Sequence, residues 1–408
     1  MERVILHCDL NSFFASVELL DYPELRERPV AVCGDPKNRH GIILAKNEPA
    51  KAFGVKTAET IWQAQRKCPG LILLPPSRGK YQQYSKQVNE IYQRYTDLVE
   101  PFGIDESWLD VSGSLHLFGG NEEQLAHEIR RIIREEVGLT VSIGVSFNKI
   151  FAKLGSDMKK PDATTVINRE QYRNIVWPLP VTDLLFAGRA SARLLSQYGV
   201  FTIGQLAAFG KSQLELILGK QGGQLWRYAN GLDISPVAPA GTYVPPKSVG
   251  NGLTFPRNLM GAEEIRIGIS SLADSVAARL RKHGMKCATV QVSIRDPNFK
   301  DICRQKRLSA PTFVSRELVI AAMELLESCW NMGEPIRALT ITAQSLIPED
   351  EAAEQLDLFG EPPAHHDRQE RLERTIDQIR KKYGKNSIQS ARVAGGIPDA
   401  MPAQAAEK

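Results

Sequence analysis

The 408 residues carry 42% hydrophobic and 24% charged side chains and a net charge of +4, the balance of an ordinary globular chain of about two to four domains. No apolar run approaches the ~20 residues of a membrane helix, and the chain is expected to enter its first strand without a cleaved leader. The cysteines are scattered, with no CxxC pair, which argues against a zinc site and for reduced thiols in a cytoplasmic setting.

In chain order, residues 1–10 read as a strand and 14–20 as a helix. VAVCG at 30–34 reads as a second strand, followed by the turn-rich loop GDPKNRHG. Helices are predicted over 47–53 and 58–68, then a strand in LILLPP and a long helix from about Tyr81 to Leu98. GIDESWLDV forms a hairpin strand, 121–137 a helix and LTVSIGVS a strand. This alternation fits an α+β sheet of the ferredoxin-like type, with 20–75 inserted into it. Residues 166–235 are mostly helical, with Gly188, Gly199, Gly219, Gly222 and Gly223 at element boundaries. Pro236, Pro239, Pro245 and Pro246 mark 236–246 as a linker. A second α+β region follows, with strands in ATVQVSI and ALTITAQSL and helices over 262–283 and 315–331. Beyond 348 the chain turns acidic, then carries the charged helix DRQERLERTIDQIRKKYG and a last dozen residues expected to be disordered. No internal repeat is visible.

Two segments carry the chemistry. Asp9 ends the apolar run of Val4, Ile5 and Leu6, and Asp105 and Glu106 stand side by side in a second apolar strand. Either acid group alone is equally well read as a turn cap or a solvated strand end. Brought together, three such carboxylates offer the oxygen ligands that Mg2+ prefers, and two metals so held serve phosphoryl transfer. The segment from Gly241 to Leu346 holds 14 Lys/Arg against 9 Asp/Glu. Its clusters, Arg279, Arg281, Lys282 and Lys286, then Arg304, Lys306 and Arg307, read as a solvated face or as a grip on nucleic acid. Beside a phosphoryl-transfer site the second reading is preferred.

DLNSFFASVE, AKAFGVK, IDESWLDV, SIGVSFNKIFAKLGSDMKKP and KSVG, in this order, resemble the landmarks of the Y-family DNA polymerases, and of their DNA polymerase IV (DinB-like) group in particular. The resemblance spans roughly residues 1–350. It implies an α+β multidomain right hand: a ferredoxin-like palm (1–19 and 76–165), small fingers (20–75), a helical thumb (166–235), a linker (236–246), an α+β little finger (247–347) and a tail (348–408). It implies a low-fidelity, template-directed polymerase that copies past damaged bases, with dNTPs and primer–template DNA as substrates, acting as a monomer. No segment is left over for proofreading. Asp9, Asp105 and Glu106 become the catalytic metal ligands, assisted by the Leu10 carbonyl, for two Mg2+ ions that Mn2+ can replace. Phe14 matches the steric gate under the sugar. There a 2′-OH would clash or lose its hydration without a partner. Phe13 beside it reads as core. Lys160 matches a lysine that reaches the triphosphate, whereas Lys149 and Lys153 read equally well as solvated surface.

The chain departs from the family pattern at the phosphate grip, where Glu48 and Lys51 stand in place of a tyrosine and an arginine. Glu48 is expected to turn away or to pair with a lysine. Lys51 keeps charge without the planar fork of arginine, and Lys46 is a possible second contact. Asn11 replaces a frequent acid. In the thumb, LLFAGRASARLL keeps only Gly188 of two usual glycines, so the phosphate-binding hairpin is degenerate, with LGKQGGQL as a second candidate turn. Lys247, Ser248 and Gly250 match the first DNA-contacting strand of the little finger. Gln355, Leu356, Leu358 and Phe359, within QLDLF, match the peptide that binds the bacterial sliding clamp (β subunit), its apolar side chains filling a pocket. Two other readings stay open. A non-catalytic clamp-bound accessory protein would be expected to lack the carboxylates. A nucleotide cyclase would need neither a basic DNA grip nor a clamp peptide.

Overall fold

The computed structural model describes residues 3–36, 41–352, 364–384 and 386–391. These form two compact units, one up to Thr242 and one from Tyr243 onward. The clamp-like peptide at 355–359 lies outside the described residues.

The first unit opens with β1 (Ile5–Leu10), an apolar run that ends in Asp9, followed by α1 (Phe13–Asp21). A small sheet then forms from β2 (Val30–Cys33), β3 (Ile43–Lys46) and β4 (Ile72–Leu74), in the order β3-β2-β4. It carries α2 (Glu48–Ala52) and α3 (Ile61–Lys67). They fill the segment expected to form the fingers. The strand β3 was not anticipated from ILAK, because Lys46 ends it and only Ile43 is buried. Asn47 ties the insertion together. Its side chain accepts from the Ala50 and Val30 amides and donates to the Arg28 carbonyl.

The palm resumes with α4 (Arg78–Tyr92), β5 (Val99–Pro101), β6 (Glu106–Asp110), α5 (Glu122–Ile132), β7 (Val141–Ser146), α6 (Lys149–Met158) and β8 (Thr164–Ile167). The sheet order is β5-β6-β1-β7-β8, antiparallel except for the last pair. Its first four strands have the βαββαβ order expected of a ferredoxin-like palm, and β8 adds a parallel edge. That edge strand runs to Ile167, across the boundary drawn at 165. The helix α4 also ends at Tyr92 rather than Leu98, as Tyr95 and Val99 turn into the core.

Strand alternation gives β1 two different faces. Leu6, Cys8 and Leu10 pack with Phe13, Tyr81, Ile91 and Ile129 in one core. Ile5 faces the other side with Trp108, Ala152 and Val237. His7 and Asp9 share the parity of Ile5, so they lie under α6. That helix sits unusually close, because Gly144 of β7 and Gly155 of α6 meet backbone to backbone.

The thumb is helical, with α7 (Tyr172–Val176), α8 (Arg189–Ser196), α9 (Ile203–Ala208), α10 (Lys211–Leu218) and α11 (Lys220–Ala229) around their own core. The following segment is not free along its whole length, as a linker reading over 236–246 implied. Val237 is buried against the palm, the Ala238 amide donates to Glu100 at 2.8 Å and the Ala240 amide to the Asp97 carbonyl at 2.8 Å.

The second unit is a second βαββαβ assembly: β9 (Ser248–Leu259), α12 (Gly261–Lys282), β10 (Met285–Arg295), β11 (Asp301–Thr312), α13 (Ser315–Cys329) and β12 (Ile336–Pro348). Its sheet is antiparallel in the order β11-β10-β12-β9, with both helices on one face. The charged tail helix, α14 (Ala364–Tyr383), docks on this unit. Arg281, only 3% exposed, pairs with Glu373 at 2.9 Å and Asp377 at 2.5 Å. Lys286 pairs with Glu370 at 2.7 Å, and Arg380 of α14 with Asp274 at 2.9 Å. This corrects the reading of Arg279–Lys286 as a nucleic-acid grip. Two of its four cations are buried and neutralised within the chain, and Arg279 donates to the Gly250 carbonyl.

Candidate active site

The register of β1 with β6 sets Asp9 opposite Glu106 and His7 opposite Trp108. A cross-strand pair shares a face, so two carboxylates reach the same spot beneath α6. Asp105 is the residue before β6, and its carbonyl accepts from the Leu10 amide at 3.0 Å, which holds the two strand ends together. Burial, and then the charges of Asp9 and Glu106, push the Asp105 carboxyl up to about 6. The three acids are therefore close enough to repel each other.

Two lysines answer that repulsion. Lys153 Nζ lies 3.1 Å from Asp9 and 3.2 Å from Glu106, and Lys160 Nζ lies 2.8 Å from Asp9. Asp157, one turn from Lys153 on α6, contacts both ammonium groups at 3.0 and 2.9 Å. Burial lowers the Lys153 and Lys160 pKa values, but the surrounding carboxylates outweigh it and hold both lysines above their ordinary range. Burial also pushes Glu106 up, yet His7 and Lys153 bring it below the usual carboxylate range. Lys153, read from sequence as possibly surface, is thus 12% exposed at the centre of the site. Its signal was the four-residue spacing to Asp157 on a helix. Lys149 is not a solvated surface residue either. It pairs with Glu100 at 2.6 Å and lies over the Trp108 ring.

Among the described residues, no three His, Cys, Asp or Glu side chains are already gathered as a metal cage. The donor set nevertheless suits hard divalent cations. It consists of carboxylate oxygens, mutually repulsive and held by ammonium groups, and Glu106 Oε2 is buried without a completed hydrogen bond.

The aromatic pair after Asp9 divides as expected. Phe13 is buried in the core and Phe14 is partly exposed, its ring stacked on Tyr81 at 4.1 Å with 9° between planes. Tyr81 is fixed in turn by its hydroxyl to Glu18, which also accepts from the Ser77 amide at 2.8 Å. Nothing in the sequence marked this buried bracket. Asn11 has a role that sequence reasoning missed. Its side chain donates to Ser142 and accepts from the Asp162 amide at 2.8 Å, latching the loop that carries Lys160. Glu48 and Lys51 pair at 3.4 Å on the fingers, both well exposed. Lys51 is therefore held by Glu48 and not by the palm carboxylates.

In the thumb, Gly188 caps α8. Two residues earlier, Phe186 adopts φ 69°, left-handed backbone that costs a non-glycine residue about 1 kcal/mol. It stands where a second glycine would be expected, and its ring is exposed. In the second unit, Ser248 is exposed at the start of β9 and Gly250 lies opposite Thr342, while Lys247 immediately precedes the strand.

The impB/mucB/samB family matches residues 8–157 and the C-terminal domain of that family matches 246–358. A relative from Acetivibrio thermocellus, DNA polymerase IV, is 47% identical over 95% of this chain and 96% of its own. The DNA polymerase IV of Clostridium kluyveri is 38% identical over 96% and 98%. Among solved structures, a Y-family DNA polymerase chimera, Dbh-Dpo4(243-245)-Dbh, superimposes with a TM-score of 0.74 at 23% identity, covering 84% of this chain and 99% of that one, and shows the shared fold. The chain therefore belongs to the DNA polymerase IV group of the Y-family DNA polymerases.

Proposed function

We propose that this chain performs translesion DNA synthesis by transferring a nucleotidyl group from a dNTP to a primer 3′-OH, with release of pyrophosphate. The observation that supports this reading is the cross-strand meeting of Asp9 and Glu106 at one spot under the ammonium groups of Lys153 and Lys160, with Asp105 beside them raised by burial and by their charge. Asp9, Asp105 and Glu106, with the Leu10 carbonyl, would hold two Mg2+ ions, or Mn2+ in their place. When bound, the metals lower the pKa of the 3′-OH and neutralise the triphosphate. Lys160, on a loop held by Asn11, would turn from Asp9 to the triphosphate when that carboxylate holds a metal. Lys153, between Asp9 and Glu106 on α6, pairs with both carboxylates and, with His7, keeps Glu106 ionised. Lys51 adds a weaker contact, since Glu48 competes for it. The ring of Phe14, braced on Tyr81, excludes the 2′-OH of a ribonucleotide, while Phe13 packs behind it.

The second unit supplies a DNA grip through Lys247, Ser248 and Gly250, and the thumb adds the backbone at Gly188. Contacts of this kind go mostly to phosphate and carry little sequence information. The QLDLF segment, Gln355, Leu356, Leu358 and Phe359, recruits the polymerase to the bacterial sliding clamp. No proofreading domain is assigned, and the chain works in the cytoplasm as a monomer on primer–template DNA. Among the described residues, no helix is long and apolar enough to cross a membrane.

Primer extension with Mg2+ and dNTPs tests this, comparing the wild type with Asp105→Ala/Glu106→Ala. Extension should fall by more than about 10³-fold while DNA affinity changes little. A wild type that binds DNA and the clamp yet never extends a primer would instead point to a clamp-bound accessory protein. For the gate, Phe14→Ala should raise ribonucleotide use by about 10- to 200-fold. Unchanged sugar discrimination in that variant would refute the assignment.

A further inference from the structure

One buried polar chain beneath the carboxylates is not used by this reaction scheme. His7 has no solvent exposure, an unusual setting for an imidazole in the central strand of a sheet. Its Nδ1 lies 2.8 Å from Ser156 Oγ, and its Nε2 faces Glu106 Oε2 at 3.3 Å. Ser156 Oγ is in turn 2.8 Å from the carbonyl of Lys153, the residue whose ammonium also meets Glu106. The indole of Trp108 closes one side of the imidazole, edge to face at 5.3 Å. Among the described residues, His7 Nε2 completes no hydrogen bond, and Glu106 Oε2 is the acid oxygen it faces.

A purely apolar side chain would fill this space without the cost of burying two ring nitrogens. What distinguishes histidine here is direction. A neutral imidazole has one N–H. Placed on Nδ1, it would leave a lone pair aimed at the Glu106 carboxylate, which is repulsive. Placed on Nε2, it points a donor at the carboxylate and leaves Nδ1 to accept from the Ser156 hydroxyl, whose single proton then turns away from the Lys153 carbonyl. The carboxylate thus selects the second tautomer, and Ser156 can follow it by giving its proton to Nδ1 in place of the Lys153 carbonyl.

We propose that His7 is a positioning residue for Glu106. It fixes the direction of that carboxylate by an Nε2–H contact and, through Ser156, couples it to the helix that carries Lys153. Metal ligands held this way by an outer partner lose about 10- to 100-fold in metal affinity or activity when the partner is removed. The inference rests on the assignment of Glu106 as a metal ligand, and the experiment separates the two.

Mn2+ affinity is measured by electron paramagnetic resonance on the full chain, bound to a dideoxy-terminated primer–template and a dNTP so that no turnover occurs. Primer extension as a function of metal concentration is followed in parallel. His7→Phe fills the space without a donor and should weaken Mn2+ binding by about tenfold or more, raising the metal needed for half-maximal extension to match. His7→Gln, which returns an N–H near the Nε2 position, should recover most of that loss. Ser156→Ala keeps the imidazole and should lose about threefold. If His7→Phe and Ser156→Ala both bind Mn2+ and respond to metal as the wild type does, His7 is core filling and the inference fails. If His7→Phe does not fold, Ser156→Ala decides, and an unchanged Mn2+ affinity in that variant overturns the proposal. A wild type that binds no Mn2+ under these conditions removes the metal assignment of Glu106 itself.

Discussion

The palm and the little finger are built from the same element order, βαββαβ, and they differ in which strand lies inside. In the palm the first strand, β1, is central between β6 and β7. In the little finger the first strand, β9, is at the edge and β10 and β12 are inside. A central strand is covered on both faces and both edges. Its end therefore concentrates charge at one point, where Asp9 meets Glu106 of β6, Lys153 of α6 and Lys160 just beyond that helix. An edge strand leaves one row of amides and carbonyls without ladder partners. It borders an open face of small polar side chains, in rows such as Gln305, Gln291, Thr342 and Gly250. One arrangement suits chemistry at a point. The other suits contact along an extended polyanion.

Their buried cations differ in the same sense. Lys153 and Lys160 neutralise the clustered carboxylates of the palm. Arg281 and Lys286 are committed to α14, an element of their own unit.

This contrast can be broken most severely at Gly144. A Cβ there would overlap the Ala152 carbonyl and the Ser156 amide, both backbone atoms of α6. Gly144→Ala should destabilise the palm by about 3 kcal/mol or more and lower metal-dependent extension, as read by chemical denaturation and primer extension. Next in size is Arg281→Ala, which leaves the largely covered Glu373 and the partly exposed Asp377 without their cation. The docking of α14 should weaken by about 3–5 kcal/mol. Hydrogen exchange would show this as loss of protection confined to α14 and its seat, with the palm unaffected. Unchanged protection in α14 would mean that the ion pairs do not hold it.

Lys247→Ala should weaken DNA binding about equally on all sequences. It should also reduce the slope of log affinity against log salt by about one. A sequence-dependent loss would contradict a phosphate grip. The smallest effect is expected at Gly252→Ala. The added methyl meets only the Thr340 side chain on the open face, and the lower entropy of the unfolded chain offsets the crowding. A change within about 1 kcal/mol is expected. A cost as large as that at Gly144 would show that the open face is packed as tightly as the palm.

Much of the fold was legible because alternation and apolar runs report burial locally. The strand ending in Asp9 and the hairpin strand with Glu106 follow from that rule. The strand β3 escaped it, being short and half exposed. The pinned segment 237–240 escaped as well, since proline content reports stiffness and not what the backbone touches. The Glu48–Lys51 pair was readable from helical spacing alone.

The sequence by itself determined which residues can ligate a metal, where the apolar strands run and which family the chain resembles, because residue chemistry and periodicity are properties of neighbours along the chain. Tertiary structure alone decided that His7 lies beneath Glu106, that Lys153 is in the site and not on the surface, and that Arg281 and Lys286 belong to a tail helix and not to DNA. Those facts depend on strand register and on partners about 80 to 150 residues away. Local pattern carries no information about which charge will meet which once the sheet closes.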